Sequence, residues 1–141
     1  MFKVRLVVVV LVVAVFLAAC GGEKSVQVSN IWARPGLAGG NSAVYFVIDN
    51  STAGEDVLLS ASSDVAQAVE LHMSMMEGDA MQMKMQQYVP IPAGKTEFKP
   101  GGLHVMLIGL NSDLNIGDSF TVILNFETAG EQALTVMVKE Q

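Results

Sequence analysis

From residue 26 to residue 139 the chain is a succession of short apolar segments separated by turn-forming residues. The clearest segments are 42–49, 103–110 and 119–127, and residues such as Pro35-Gly36 and Pro100-Gly101-Gly102 lie between segments. About eight such segments at regular spacing predict an all-β antiparallel sandwich or barrel. Pro90 and Pro92 restrict any strand near them to an edge of the sheet. A short helix over residues 63–68 is the one helical element that the mature sequence allows.

The N-terminus has the organisation of an export signal. Lys3 and Arg5 precede fourteen apolar residues, from Leu6 to Ala19. This stretch is short for a membrane-spanning helix, which needs about 20 residues, and is typical of the hydrophobic region of a signal peptide. The following Cys20 completes a Leu-Ala-Ala-Cys motif that resembles the bacterial lipobox, in which cleavage precedes the cysteine and its thiol carries a lipid. The alternatives are an uncleaved anchor and an ordinary signal peptide.

These features divide the chain into a signal peptide over 1–19, a lipidated Cys20 with a short tether over 20–25, and one β-domain over 26–141. Cleavage would remove two of the eight basic residues, which leaves six against fourteen acidic residues and a net charge near −8. Such a surface repels phosphate backbones, so nucleic-acid binding is not expected. Because Cys20 is the only cysteine, the mature chain can form no internal disulfide, and its stability must come from the core.

The two histidines of the chain lie beside most of its methionines. Six methionines follow His72 within thirteen residues, and they are Met73, Met75, Met76, Met81, Met83 and Met85. His104 is followed two residues later by Met106. Imidazole and thioether ligands without a thiolate suit Cu(I). Blue-copper and cysteine-based zinc sites both need a thiolate, so a lipidated Cys20 excludes them.

Strand alternation predicts where these side chains point. His104 and Met106 share one side of their segment, and Val105 and Leu107 share the other. His72 lies opposite the more apolar side of its own segment, so we expect it to face away from the core, towards solvent or a site at the edge of the sandwich. Packing is the alternative explanation for the His104–Met106 pair.

The other methionines allow several interpretations. Met81, Met83 and Met85 alternate with polar residues and therefore share one face of a strand, where they could be ligands or flexible filler. Met73, Met75 and Met76 could form a second, weaker loading site, or they could lie in a mobile loop.

Taken together, several segments resemble the periplasmic copper chaperones of the PCu(A)C family. The spacing His72, ten residues, Met83, and then His104-x-Met106 is similar to the motif of that family. The other segments of that family are similar to residues 31–35, 41–50, 69–72, 91–94 and 99–107. The resemblance covers nearly the whole mature chain.

The resemblance implies a cupredoxin-like β-barrel that binds one Cu(I) through His72, Met83, His104 and Met106. It also implies delivery of copper towards the Cu(A) centre of cytochrome c oxidase. Twenty residues separate Met83 from His104, one fewer than is usual in the family. Met81 or Met85, on the same face as Met83, could therefore supply the thioether instead.

The expected protein is a monomeric, membrane-anchored lipoprotein of the periplasm or cell envelope, with an acceptor protein in oxidase assembly as its partner. It is not expected to be an enzyme, because no nucleophile elbow, HExxH or paired-carboxylate motif is present. Two other functions fit the same sequence. One is a copper buffer or resistance protein without a dedicated acceptor, and the other is a lipid-anchored β-sandwich with a structural role.

Overall fold

Ten β-strands make up most of the structure, a computed structural model that describes residues 25–52 and 54–141. The strands are β1 (Val26–Ala33), β2 (Asn41–Asn50), β3 (Asp56–Ser62), β4 (Ala66–Glu77), β5 (Ala80–Gln86), β6 (Val89–Ile91), β7 (Gly94–Phe98), β8 (Leu103–Leu110), β9 (Ser119–Phe126) and β10 (Gly130–Val138). Within these described ranges no helix has the length and apolar character needed to cross a membrane. The predicted signal peptide and Cys20 lie outside the described residues.

All ten strands belong to one sheet, in the order β5-β4-β8-β7-β2-β1-β10-β9-β3-β6, with a further pairing of β8 with β2. Neighbouring strands are antiparallel except for β1 with β10 and β7 with β8. The predicted all-β, mainly antiparallel architecture is therefore confirmed. The strand count exceeds the expected eight because the hairpin strand β5 and the three-residue β6 both pair into the sheet.

The core joins strands from distant positions of this sheet. Its largest fully buried side chains come from β2, β3, β6, β8, β9 and β10, and they include Phe46, Leu58, Leu107, Leu124 and Val136. Since alternate residues of a strand share a face, one face of each strand supplies this core. The sheet must therefore curve around a common interior. Burial of each large apolar side chain contributes about 1.5–3 kcal/mol to stability.

Two local predictions near β4 are wrong. The short helix expected over residues 63–68 is absent, because residues 64 and 65 form a turn and β4 begins at Ala66, opposite Leu110 of β8. The mobile loop considered for Met73, Met75 and Met76 is also absent. These residues continue β4 and pair with β5 as far as Glu77, so that strand pairing determines their conformation.

Strand β1 contains a β-bulge between Ser29 and Trp32. Ser29 pairs with Val47, but Trp32 pairs with Tyr45, so β1 contains one extra residue. Asn30 has φ of 52°, in the left-handed region that asparagine tolerates better than most residues. Bulges commonly redirect a side chain. Here the bulge places Trp32 directly opposite Tyr45.

Asp56 connects the start of β3 to the turn between β9 and β10. Its buried carboxylate accepts backbone N–H bonds from Val57 at 2.7 Å and from Thr128 and Ala129 at 2.9 Å. Burial alone would raise the pKa of Asp56, but these hydrogen bonds outweigh it and hold the pKa below the usual 3.8. Ionised Asp56 therefore stabilises the fold.

We expect Asp56→Asn to lower the free energy of unfolding by about 2 kcal/mol at pH 7, because an amide cannot accept all three bonds. Since the folded pKa is depressed, the contribution is complete above the ordinary, unfolded pKa of 3.8. This contribution to stability is lost as the pH falls through the pKa that Asp56 has in the folded protein. Urea unfolding across pH 7 to 3 measures this, with the exposed Asp79→Asn as the control. A difference from wild type that stays constant down to pH 3 would contradict the role of the charge.

Candidate metal centre

The pairing of β4 with β8 brings the two histidines together. His72 lies directly opposite His104, and their ring centroids are 5.8 Å apart. The prediction that His72 faces away from the core holds, because Leu71 beside it is in the core. The option that it faces solvent is wrong, since His72 is only 9% exposed and His104 only 3%. Both histidines lie on interior strands, since β4 and β8 have β5 on one side and β7 and β2 on the other.

His104 is held in one tautomer by the main chain. Its Nδ1 lies 3.0 Å from the carbonyl oxygen of Gly102. A carbonyl oxygen can only accept, so Nδ1 carries the proton and the lone pair is on Nε2. Burial lowers the pKa of His104; the Gly102 bond opposes this change, and the charges of His72 and Arg34 add to it. The neutral imidazole, which is the form that binds metals, is thereby favoured.

His72 has the opposite arrangement. Its Nε2 lies 2.8 Å from a carboxylate oxygen of Glu70, so Nε2 donates and Nδ1 is left with the lone pair. This Nδ1 atom is buried and has no hydrogen-bond partner among the described residues. A buried acceptor without a partner costs about 1–3 kcal/mol, and a bound cation would satisfy it. Carboxylates that orient a histidine in this way are common in metal sites.

The methionines differ in which cavity they line. Met83 lines a cavity of about 390 Å³ together with Ser74, His104 and Met106. Met106 is on the side of β8 that carries His104, opposite Glu70 of β4. His72 does not line this cavity but adjoins it through the His104 ring.

The other candidate thioethers lie elsewhere on the β4–β5 hairpin. Met85 pairs with His72 but lines a different cavity, which it shares with Glu70. Met81 pairs with Met76 near the end of the hairpin. Met73 and Met75 are on the reverse side, opposite Lys84 and Gln82. Of Met81, Met83 and Met85, only Met83 therefore shares the cavity of His104 and Met106.

An aromatic wall next to His104 was not assigned from the sequence. The Tyr45 ring lies 6.3 Å from the His104 ring, and Trp32 lies 4.8 Å from Tyr45. Arg34 covers the Tyr45 ring at 5.5 Å. Burial raises the pKa of the Tyr45 phenol, and Arg34 only partly opposes this effect, so the group stays neutral. Strand alternation could have placed Trp32 and Tyr45 on strand faces, but not against each other, because their contact depends on the bulge.

The donor set of this site consists of two imidazoles and nearby thioethers. In the described ranges, 25–52 and 54–141, no group of three or more His, Cys, Asp or Glu side chains could hold a metal ion. Met83 and Met106 are the methionines that line the cavity beside His104. Such a mixed set of nitrogen and uncharged sulfur matches the preference of a soft cation.

Solved structures share this architecture. The copper-bound PCuAC domain from PmoF2 superposes with a TM-score of 0.70 at 23% identity, over 83% of this chain and 94% of that domain. The solution structure of CuI-DR1885 from Deinococcus radiodurans gives a TM-score of 0.64 at 25% identity, over 86% of this chain and 84% of that one. The fold is that of PCuAC domains, and the cupredoxin-like class predicted from the sequence is confirmed.

Sequence comparisons define the family more narrowly. The model described as "Putative lipoprotein LpqE-like" matches residues 26–138. A protein of Leifsonia xyli subsp. xyli that is named "Putative lipoprotein" is 32% identical over 117 residues, which cover 82% of this chain and 70% of that protein. An uncharacterized protein of Rickettsia prowazekii is 30% identical over 122 residues, which cover 82% and 67%. The chain belongs to the LpqE-like family, and the PCuAC membership expected from its motifs is confirmed.

Proposed function

We propose that this protein is an extracytoplasmic Cu(I) chaperone that binds one copper ion through His72, Met83, His104 and Met106. One observation carries the proposal: strand register pairs the two histidines and places Met83 and Met106 on the cavity beside them. The imidazole nitrogens with free lone pairs are Nε2 of His104 and Nδ1 of His72. The copper-bound form of the PmoF2 domain and the Cu(I) form of DR1885 support the choice of ion.

The site combines restricted access with weak donors. Both histidines are buried, whereas Met83 is 57% exposed, so the ion would be reached from the side of Met83. Thioethers bind Cu(I) without charge and hold it less tightly than thiolates do. A thiolate-bearing acceptor could therefore take the ion by exchanging one ligand at a time, starting at Met83. This arrangement favours transfer over permanent storage.

The proposed destination is the Cu(A) centre of cytochrome c oxidase, and the proposed location is the cell envelope, with a lipid on Cys20 as the anchor. The LpqE-like family description and the lipoprotein name of the Leifsonia relative support the anchor. The protein would act as a monomer that meets its acceptor at the membrane surface. Copper is its cargo, and no catalytic role is assigned.

A deletion strain grown at low copper tests delivery. We expect cytochrome c oxidase activity to fall and to recover when the medium is supplemented with copper or when the wild-type gene is restored. A gene encoding His72→Ala and His104→Ala should not restore activity. Normal oxidase activity combined with sensitivity to excess copper would instead favour the buffering function.

A further inference from the structure

The β4–β5 hairpin presents a second set of thioethers outside the proposed site. Its strands are joined by the two-residue turn Gly78-Asp79, in which Gly78 has φ of 64°. A glycine with positive φ at the first position is typical of a tight hairpin turn. Met76 and Met81 lie directly opposite each other, and a single residue pair, Glu77 with Ala80, separates them from this turn. The register therefore fixes two thioethers side by side near the tip.

These two methionines are open to solvent. Met76 is 60% exposed and Met81 is 53% exposed, although large apolar side chains gain by burial. Side chains directly opposite in an antiparallel pair have Cβ atoms about 5 Å apart. Two flexible thioethers at that separation can approach one ion from opposite sides. They form a two-sulfur donor set that suits Cu(I).

The pair is connected to the histidine site by Met83. Met81 and Met83 are on the same face of β5, two residues apart, which corresponds to about 7 Å along a strand. Met83 in turn lines the cavity of His104 and Met106. Asp79 adds negative charge at the tip, which favours the approach of a cation, whereas Glu77 is paired with Lys84 at 3.5 Å.

We propose that Met76 and Met81 form a surface site that captures Cu(I) and passes it through Met83 to the site at His72 and His104. This inference rests on the proposed function for the destination of the ion, but not for the existence of the surface site. In the transfer, the bonds from copper to the two tip sulfurs break as bonds to Met83 and then to imidazole nitrogen form. Copper remains Cu(I) throughout, and no electron or proton is exchanged.

Methyl NMR of the full chain, purified in detergent with ¹³C-methyl methionine, tests the surface site. The probe is Ag(I), a soft monovalent ion that does not undergo redox cycling. We expect the first equivalent to shift the methyl signals of Met83 and Met106, and the second to shift those of Met76 and Met81. Absence of any shift at Met76 and Met81 would overturn the surface site.

Two matched double variants extend the test. Met76→Leu with Met81→Leu should abolish the second equivalent and slow the loading of Cu(I) into the first site. Met75→Leu with Met137→Leu removes two other exposed methionines, one on the reverse side of the hairpin and one on β10. This variant should bind the second equivalent and load Cu(I) into the first site as the wild type does. Equal loading rates in the two double variants would overturn the transfer route.

The histidine variant separates this inference from the proposed function. In His72→Ala with His104→Ala, the shifts of Met76 and Met81 should persist, since that pair needs no imidazole. If the first equivalent of Ag(I) still shifts the methyl signals of Met83 and Met106 in this variant, the proposed function is wrong. The surface site is judged separately, by the signals of Met76 and Met81.

Discussion

Replacement of both His72 and His104 by alanine is expected to weaken Cu(I) binding by about a thousandfold or more, which corresponds to about 4 kcal/mol. Loss of a residue that merely supports a metal ligand typically costs 10- to 100-fold, and this variant removes two ligands. Both side chains are buried and their ring centroids are 5.8 Å apart, so the double variant removes both nitrogen donors from one place. Competition with a chromophoric Cu(I) chelator measures the change.

Ser74→Ala provides the matched control for this variant. Ser74 is buried and lines the same cavity as His104, but it is not a proposed ligand. The Cu(I) affinity of the Ser74→Ala variant should therefore stay at the wild-type value. Chemical unfolding of each variant without copper shows whether the alanine substitutions disturb the fold. Unchanged copper affinity in a folded double variant would refute the histidine site.

The second large effect is expected for Met83→Leu, which should weaken Cu(I) binding by about 10- to 100-fold. Leucine keeps the volume and apolar character of methionine but has no sulfur donor. Met85→Leu and Met81→Leu are close controls, because the three side chains are similarly exposed, at 57%, 58% and 53%. Neither control should change the affinity for the first copper ion, because neither side chain lines the cavity of His104.

Sulfur-edge X-ray absorption of the copper-loaded variants identifies the bound thioether directly. The copper–thioether signal should decrease in Met83→Leu and stay at the wild-type level in Met85→Leu. The reverse result would show that Met85, which pairs with His72, completes the site. In that case the thioether ligand would lie two residues nearer to His104 than the family resemblance implies.

Local patterns were sufficient for much of the fold. The alternation through His104, Val105 and Met106 predicted a strand with one face in the core and His104 and Met106 on the other face, and β8 has that arrangement. The segment at β2 was equally clear, because its apolar residues are nearly continuous. Family resemblance, rather than periodicity, suggested which methionines join the histidines.

Long-range pairing could not be inferred in the same way. Nothing local to β4 specifies that His72 lies opposite His104, since a shift of one residue would turn every side chain to the other face. The contact between Trp32 and Tyr45 also requires the extra residue in β1. Gly78-Asp79, by contrast, is a recognised hairpin signal, and it would have placed Met75 and Met76 in a strand.

The carbonyl oxygen of Gly102 has a further consequence for the thermodynamics of copper uptake. It accepts hydrogen bonds both from Nδ1 of His104 and from the backbone N–H of Ser74, each at 3.0 Å. One main-chain atom therefore fixes the tautomer of His104, a proposed copper ligand, and joins β8 to β4, the strand of His72. Because Nε2 of neutral His104 carries no proton, an ion that binds there displaces none. Copper uptake at this proposed ligand would then be uncoupled from the proton concentration of the compartment at neutral pH.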